Sequence, residues 1–209
     1  MSPFIRKKKK SNKNFKPKGN YAFIDSQNLN LGVQKVGFKM DWRKFRQFLK
    51  DQYNVENAYM FIGYMPDYEK LYEQMHDLGY LIVLKPTLEM YETEAKSDLR
   101  SQSSDDKKQM EQKDKKVEEK RATKGNVDAE LVLYAVKEMP NYSKAVIVSG
   151  DGDFYGLIEY LAQQNKLQNV LAPNWQYSSL LKQFDKFIVR LDQKRGELAY
   201  KGFNKKGKK

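Results

Sequence analysis

The sequence predicts an α/β fold in which a mostly parallel central sheet is covered by helices on both faces. Short apolar runs alternate along the chain with stretches whose apolar residues recur at helical spacing. The apolar runs are not interrupted by polar residues, which is typical of strands that are buried on both faces. Because parallel strands need crossover helices between them, this alternation favours a doubly wound sheet.

Three strands and two helices are predicted in the first half of the chain. In chain order they are strand 21–25, helix 41–53, strand 56–65, helix 67–78 and strand 80–86. The first strand, YAFID, ends in an acidic residue. Asp41 suits the N-cap of the first helix, and Gly79 follows the second helix as a stop.

The second half continues the alternation. In chain order it contains helix 127–139, strand 144–150, helix 154–166, strand 168–174, helix 178–184 and strand 186–191. Asn126 can cap the first of these helices, and Pro140 ends it. In the commonest doubly wound arrangement, strand 1 lies beside strand 4, and ligands bind in the crevice beyond their carboxyl ends.

Positive charge is concentrated at the two ends of the chain. Residues 1–20 contain eight Lys or Arg and no acidic residue, and residues 193–209 contain seven Lys or Arg and one acidic residue. Because the net charge of the chain is +12, the remaining body is slightly negative. Such ends are typical of disordered segments that contact a polyanion; the alternative is that they only increase solubility. The densest basic run, a predicted RNA contact, is Lys7, Lys8, Lys9 and Lys10.

One internal stretch has the composition of an insertion. Residues 92–124 contain ten basic and nine acidic residues but only five apolar ones, so they cannot bury an apolar face. The predicted organisation is therefore one domain over residues 21–192, interrupted by this low-complexity insertion. A basic disordered arm over 1–20 precedes the domain, and a basic disordered tail over 193–209 follows it.

Composition excludes several classes of protein. The chain has no cysteine and one histidine, His76, which excludes disulfides, cysteine-ligated metals and a multi-histidine site. No apolar stretch follows Lys10, and no window is long enough to span a membrane. We therefore expect a cytoplasmic protein without a signal peptide or a membrane partner.

Acidic residues gather at the predicted carboxyl edge of the sheet. Asp25 ends strand 1, Asp151 and Asp153 follow strand 4, and Asp128 lies in the first turn of the helix before strand 4. Each of them alone could simply cap a helix or form a turn. Four carboxylates in one cleft repel one another unless a cation is bound. Since Mg²⁺ and Mn²⁺ prefer oxygen ligands, the pattern predicts a site for one or two of these ions.

Other side chains are predicted beside this cleft, each with a structural alternative. Asn28 could orient a water or a phosphate oxygen, or could bond to local backbone. Ser149 and the amides of Gly150 and Gly152 could cradle a phosphate, although those glycines could simply allow a tight turn. Lys124 could pair with a phosphate or be merely exposed. Trp175 and Tyr177 could stack on unpaired bases or serve as packing anchors.

Three segments of the chain read IDSQNL at 24–29, KGNVDAELVL at 124–133 and SGDGDFYGLIEYL at 149–161. They resemble the motifs of the NYN domain family, the LabA-like branch of the PIN-like nuclease superfamily. The sequence SSLLKQFDKFIVRL at 178–191 is similar to the family's closing helix and strand. The resemblance implies a Rossmann-like PIN-type fold and metal-dependent ribonuclease chemistry. It implies a metal site and catalytic set made of Asp25, Asp128, Asp151 and Asp153, with Asn28 accompanying the first aspartate.

The predicted function is a Mg²⁺- or Mn²⁺-dependent endoribonuclease that hydrolyses single-stranded RNA with a metal-activated water. The alternative is a non-catalytic RNA-binding or regulatory protein that retains the fold. A phosphatase is disfavoured, because the aspartyl-phosphate enzymes need Asp-x-Asp after strand 1, and this chain has Asp25, Ser26 and Gln27 there. RNA is the expected partner, and a homodimer is left open.

Overall fold

The computed structural model describes residues 18–64, 68–85 and 127–202. They form a six-stranded sheet in the order β3-β2-β1-β4-β5-β6, in which every neighbouring pair is parallel. The strands are β1 (Asn20–Asp25), β2 (Val55–Gly63), β3 (Tyr80–Lys85), β4 (Ala145–Val148), β5 (Leu167–Ala172) and β6 (Ile188–Arg190). The predicted α/β class is confirmed, and strand 1 lies beside strand 4 as expected.

Helices connect the strands and cover both faces of the sheet. The α-helices are α1 (Ser26–Lys35), α2 (Trp42–Tyr53), α3 (Glu69–Asp77), α4 (Asp128–Lys137), α5 (Tyr155–Gln163) and α6 (Arg195–Leu198). Short 3₁₀ helices cover Gly152–Phe154, Ser179–Phe187 and Leu191–Lys194. None of the helices in the described ranges has the length and hydropathy needed to cross a membrane.

The core consists of two apolar clusters, one on each face of the sheet. Ala22 and Ile24 of β1 belong to the cluster that also contains Phe45 of α2. Phe23 of β1 belongs to the opposite cluster, together with Leu131 of α4. Strand β1 is therefore buried on both faces, and its last residue, an aspartate, emerges at the carboxyl edge from the middle of the sheet.

Helix α1 was not predicted from the sequence. Its sequence, SQNLNLGVQK, is mostly polar, and only Leu29 and Val33 are buried. Two apolar residues at i and i+4 are too few to stand out as an amphipathic pattern. The helix forms because these two residues pack against the core and because Asp25 caps its first turn.

The end of the chain differs from the predicted disordered tail over 193–209. Leu198 of α6 is fully buried, and its carbonyl accepts a hydrogen bond of 2.9 Å from the amide of Asp41. The amide of Tyr200 donates to the carbonyl of Lys39, also at 2.9 Å. The basic composition of this stretch concealed the core position of Leu198, and the folded region therefore extends past residue 193.

Several sequence-based predictions fall on residues that the structure does not describe. The insertion over 92–124, with Lys124, lies outside the described ranges, as do Asn126 and the lysine run from Lys7 to Lys10. Helix α4 begins after Val127, where no side chain caps the helix.

Candidate active site

Asp25 occupies the junction between β1 and α1. Its Oδ1 accepts a hydrogen bond of 3.0 Å from the amide of Asn28, which caps the helix, and its Oδ2 accepts one of 3.2 Å from the hydroxyl of Ser149. The residue is only 5% exposed. Burial and, to a smaller extent, the charges of Asp128 and Asp151 raise the pKa of Asp25, whereas the two hydrogen bonds lower it. The net result is a pKa of about 6 instead of 3.8.

Hydrogen bonds join the end of β1 to the loop that follows β4. The hydroxyl of Ser149 donates to Asp25 and accepts from the amide of Asp151 at 3.1 Å. The Oδ1 of Asn28 accepts from the amide of Gly150 at 2.9 Å. Ser149 is 1% exposed, and its hydroxyl positions Asp25. Its predicted contact with a phosphate stays a prediction. Asn28 likewise bonds to backbone, the structural alternative for this residue.

The loop after β4 carries the two remaining aspartates of the motif. Asp151 caps the 3₁₀ helix Gly152–Phe154, and its Oδ1 accepts from the amide of Asp153 at 3.1 Å. Asp151 is half-buried and Asp153 is exposed. A Cβ at Gly152 would lie 2.4 Å from the hydroxyl oxygen of Ser178, so only glycine fits at this close approach.

Asp128 is half-buried in the first turn of α4, and its charge acts on Asp25. Glu130, on the same helix, forms an ion pair of 3.0 Å with Lys85 at the end of β3. Within residues 18–64, 68–85 and 127–202, no three acidic or histidine side chains form a ready-made metal-binding group. The structure thus places Asp128 and Asp151 each within electrostatic range of Asp25, with Asp153 exposed beside Asp151.

The predicted aromatic contacts lie beyond β5, on the same edge. Trp175 is 56% exposed, and the guanidinium of Arg190 lies 5.9 Å from its ring centroid. Arg190 is itself held by Asp192, with a shortest distance of 2.6 Å. Tyr177 is half-buried, and its hydroxyl donates to Asp185 at 3.3 Å. Trp175 therefore presents an open ring face, whereas Tyr177 is partly engaged in packing.

A cavity of about 230 Å³ adjoins the aspartates. It lies between α1 and residues 173–177, and its lining includes Leu31 and Lys35. These two residues were not predicted from the sequence, because α1 itself was not predicted. The spacing of Leu29 and Val33 behind a capping aspartate was the one signal that could have revealed the helix.

Comparisons with known proteins agree with this architecture. The model of the NYN domain family matches residues 21–192. The low amplitude and bright protein LabA of Synechococcus elongatus is 25% identical over 179 residues, which are 83% of this chain and 84% of that protein. A crystal structure of a protein of unknown function from Vibrio parahaemolyticus has the same fold, with a TM-score of 0.60 at 19% identity, covering 87% of this chain and 96% of that one.

Proposed function

This chain belongs to the NYN domain family of the PIN-like nuclease superfamily, and we propose that it is a metal-dependent endoribonuclease that acts on single-stranded RNA. The observation that carries the proposal is the meeting of carboxylates from three separate parts of the chain. Asp25 ends β1, Asp128 begins α4 and Asp151 follows β4, and the charges of the last two act on the first. Such convergence at the carboxyl edge of a parallel sheet is where α/β proteins place their ligand sites.

The chemistry of this donor set fits a divalent cation. Asp25 is a buried carboxylate whose pKa is raised to about 6, in part by the charges of Asp128 and Asp151, and a bound cation would stabilise its ionised form. Asp25, Asp128 and Asp151 would hold Mg²⁺ or Mn²⁺ through oxygen ligands, with Asp153 available at the margin. When bound, the ion supplies activation of water and neutralisation of charge on the phosphodiester.

The surrounding residues support the proposal by holding the aspartates in place. Ser149 fixes one oxygen of Asp25, and the amide of Asn28 fixes the other. The loop is held from its other side by the amide of Ser178, which donates to the carbonyl of Gly150 at 2.9 Å. A site whose ligands are fixed in advance loses less entropy when the substrate reaches the transition state.

Single-stranded RNA fits the charges and aromatic groups around the site. The basic ends over 1–20 and 193–209 provide positive charge that contacts phosphates without reading sequence. The exposed ring of Trp175, with Arg190 beside it, offers a platform on which an unpaired base stacks. The slightly negative body explains why binding depends on these ends.

The test is cleavage of end-labelled single-stranded RNA by the full chain with Mn²⁺, with and without a chelator. We expect internal fragments that disappear on chelation and in Asp151→Asn, but persist in Asp77→Asn, a change of an exposed aspartate on α3. RNA that is bound by the wild type but left intact with Mn²⁺ would overturn the proposal and favour a non-catalytic RNA-binding function.

A further inference from the structure

We propose that the cavity beside the aspartates binds the base of one unpaired nucleotide, next to the phosphodiester that is cut. This inference rests on the proposed ribonuclease function and specifies its substrate as RNA whose base is free to leave the stack. The cavity of about 230 Å³ contains both Asn28 and Gly150 in its lining. These two residues also belong to the hydrogen-bond network around Asp25, so the cavity opens directly beside the carboxylates.

The wall of the cavity is rigidly built. A Cβ at Gly32 would lie 2.4 Å from the Cβ of Pro173, so α1 and the segment after β5 approach as closely as glycine allows. Asn174 is 5% exposed, and both ends of its side chain are used: Nδ2 donates to the carbonyl of Gly32 and Oδ1 accepts from the amide of Gln176, each at 2.7 Å. A fixed wall favours binding because little has to be ordered when the ligand enters.

The lining combines apolar surface with unused hydrogen-bonding groups, as a nucleobase requires. Leu31 is 58% exposed, and with the Tyr177 side chain it offers apolar contact to a flat ring. The ammonium of Lys35, the side-chain Nδ2 of Asn28 and the side-chain carboxamide of Gln176 have no hydrogen-bond partner within the described ranges. These groups are positioned for the acceptors on the edge of a base and for the phosphate attached to it.

The cavity and the neighbouring carboxylates carry charges of opposite sign. Among the described residues that line it, Lys35 alone is charged. A nucleotide therefore meets a positive group on the cavity side and the aspartates on the other side. A base that is paired and stacked inside a duplex cannot enter such a cavity without first being extruded, and this favours single strands.

The test combines abasic RNA with a change that fills the mouth of the cavity. Single-stranded RNAs of one sequence, each with one abasic position, are cleaved with Mn²⁺. We expect one bond beside the abasic position to be cut about tenfold more slowly, which corresponds to the loss of one base contact, while the other bonds are unaffected. Leu31→Trp should slow cleavage of intact RNA by a similar factor but have no further effect at the abasic bond.

Matched controls separate this effect from general damage. Leu133→Trp, which changes an exposed leucine of α4, is the control for Leu31→Trp. Lys50→Glu is the control for Lys35→Glu, since both lysines lie in the last turn of a helix. Lys35→Glu should lower the cleavage rate, and this variant provides the test if Leu31→Trp does not fold, as judged by loss of cooperative melting. The proposal would be overturned if the test and control variants lowered the cleavage rate equally. It would also be overturned if Leu31→Trp slowed cleavage of intact RNA and of the bond beside the abasic position by the same factor.

A second readout does not depend on cleavage, so it separates this inference from the proposed function. Single-stranded RNA containing 4-thiouridine is photo-cross-linked to the full chain, and the modified peptides are identified by mass spectrometry. We expect cross-links within residues 28–35 or 173–177 that Leu31→Trp removes. If the protein does not cut RNA, the ribonuclease proposal fails alone; if these cross-links are absent, the cavity proposal fails whatever the nuclease result.

Discussion

Two aspartates begin helices in the same way but lie in opposite environments. Asp25 precedes α1 and Asp41 precedes α2, both with extended backbone, and each accepts a hydrogen bond from the amide three residues later, at 3.0 and 3.2 Å. Asp41 is half-buried and lies 3.6 Å from the ammonium of Lys44. Asp25 is 5% exposed, and the charges that act on it from within the described ranges are those of the carboxylates Asp128 and Asp151.

The difference shows that helix capping explains only part of the role of Asp25. A cap needs one oxygen acceptor, which Ser, Thr or Asn supplies as well as Asp does. At Asp41 the carboxylate charge has a lysine to pair with. At Asp25 the charge is buried beside like charges, which destabilises the folded protein. The cation proposed to bind there would give this arrangement a function, and Asp41 provides a matched control for it.

The largest expected effect is on RNA cleavage. Asp25→Asn should retain the helix cap but lower the rate by at least about a thousandfold, because the site loses one metal-binding carboxylate. Asp41→Asn removes the same kind of charge from the same kind of cap and should cut at the wild-type rate. Initial rates with Mn²⁺ give both values. Wild-type activity in Asp25→Asn would remove this residue from the site.

The next effect is on the stability of the metal-free protein. Replacing Asp25 by Asn and replacing Asp41 by Asn should change the free energy of unfolding in opposite directions. The folded pKa of Asp25 is raised from 3.8 to about 6, so its ionisation destabilises the folded state above that pH and not below pH 4. Asp25→Asn should therefore increase the free energy of unfolding at pH 8 by up to about 3 kcal/mol, and the gain should vanish towards pH 4.

Asp41→Asn should instead lose up to about 1 kcal/mol at pH 8, because it breaks a partly exposed ion pair. Urea denaturation in the presence of a chelator, at pH 4, 6 and 8, measures both variants. A loss of stability at pH 8 in Asp25→Asn would mean that its carboxylate stabilises the metal-free fold.

A smaller effect is expected from Ser149→Ala. This change removes a hydrogen bond that lowers the pKa of Asp25, so protonation should compete with metal at a higher pH. At limiting Mn²⁺, wild-type cleavage should decline as the pH falls through about 6, and the decline in the variant should begin at a higher pH. We expect about a tenfold loss at pH 6 and less at pH 8.

Cleavage rates across this pH range measure the shift. Ser143→Ala changes an exposed serine and should keep the wild-type profile. Superimposable profiles for the wild type and Ser149→Ala would show that the hydroxyl does not act on Asp25.

The smallest effect on turnover is expected from removing the basic ends. If about six of their charges contact phosphates, the slope of log K against log salt should be roughly −4 for single strands. Deleting 1–17 and 203–209 should flatten this slope but leave turnover of a saturating short RNA, and the contrast between Asp25 and Asp41, unchanged. The deletion stops short of Leu198, which is part of the core. Binding titrations at several salt concentrations check this, and an unchanged slope would assign the ends to solubility.

Much of the fold could be predicted from local sequence, because each strand is an apolar run and most helices show one apolar stripe. Asp25, Asp151 and Asp153 could be identified because they lie at the ends of strands whose carboxyl ends share an edge, and Asp128 because it begins the helix before β4. The burial of Asp25 could not, since it depends on Ser149, 124 residues away. The cavity was not predicted because it is also formed by residues far apart in the sequence: it lies between the polar helix α1 and a segment that follows β5.

The most direct test of the site is calorimetric titration of Mn²⁺ into chelator-treated protein at neutral pH, which requires neither RNA nor cleavage. The wild type and Asp41→Asn should bind one or two ions with the same affinity, and Asp25→Asn should bind at least about tenfold more weakly. Equal binding by all three proteins would contradict the assignment of Asp25 to a metal site, and the buried charge would then have no cation to explain it.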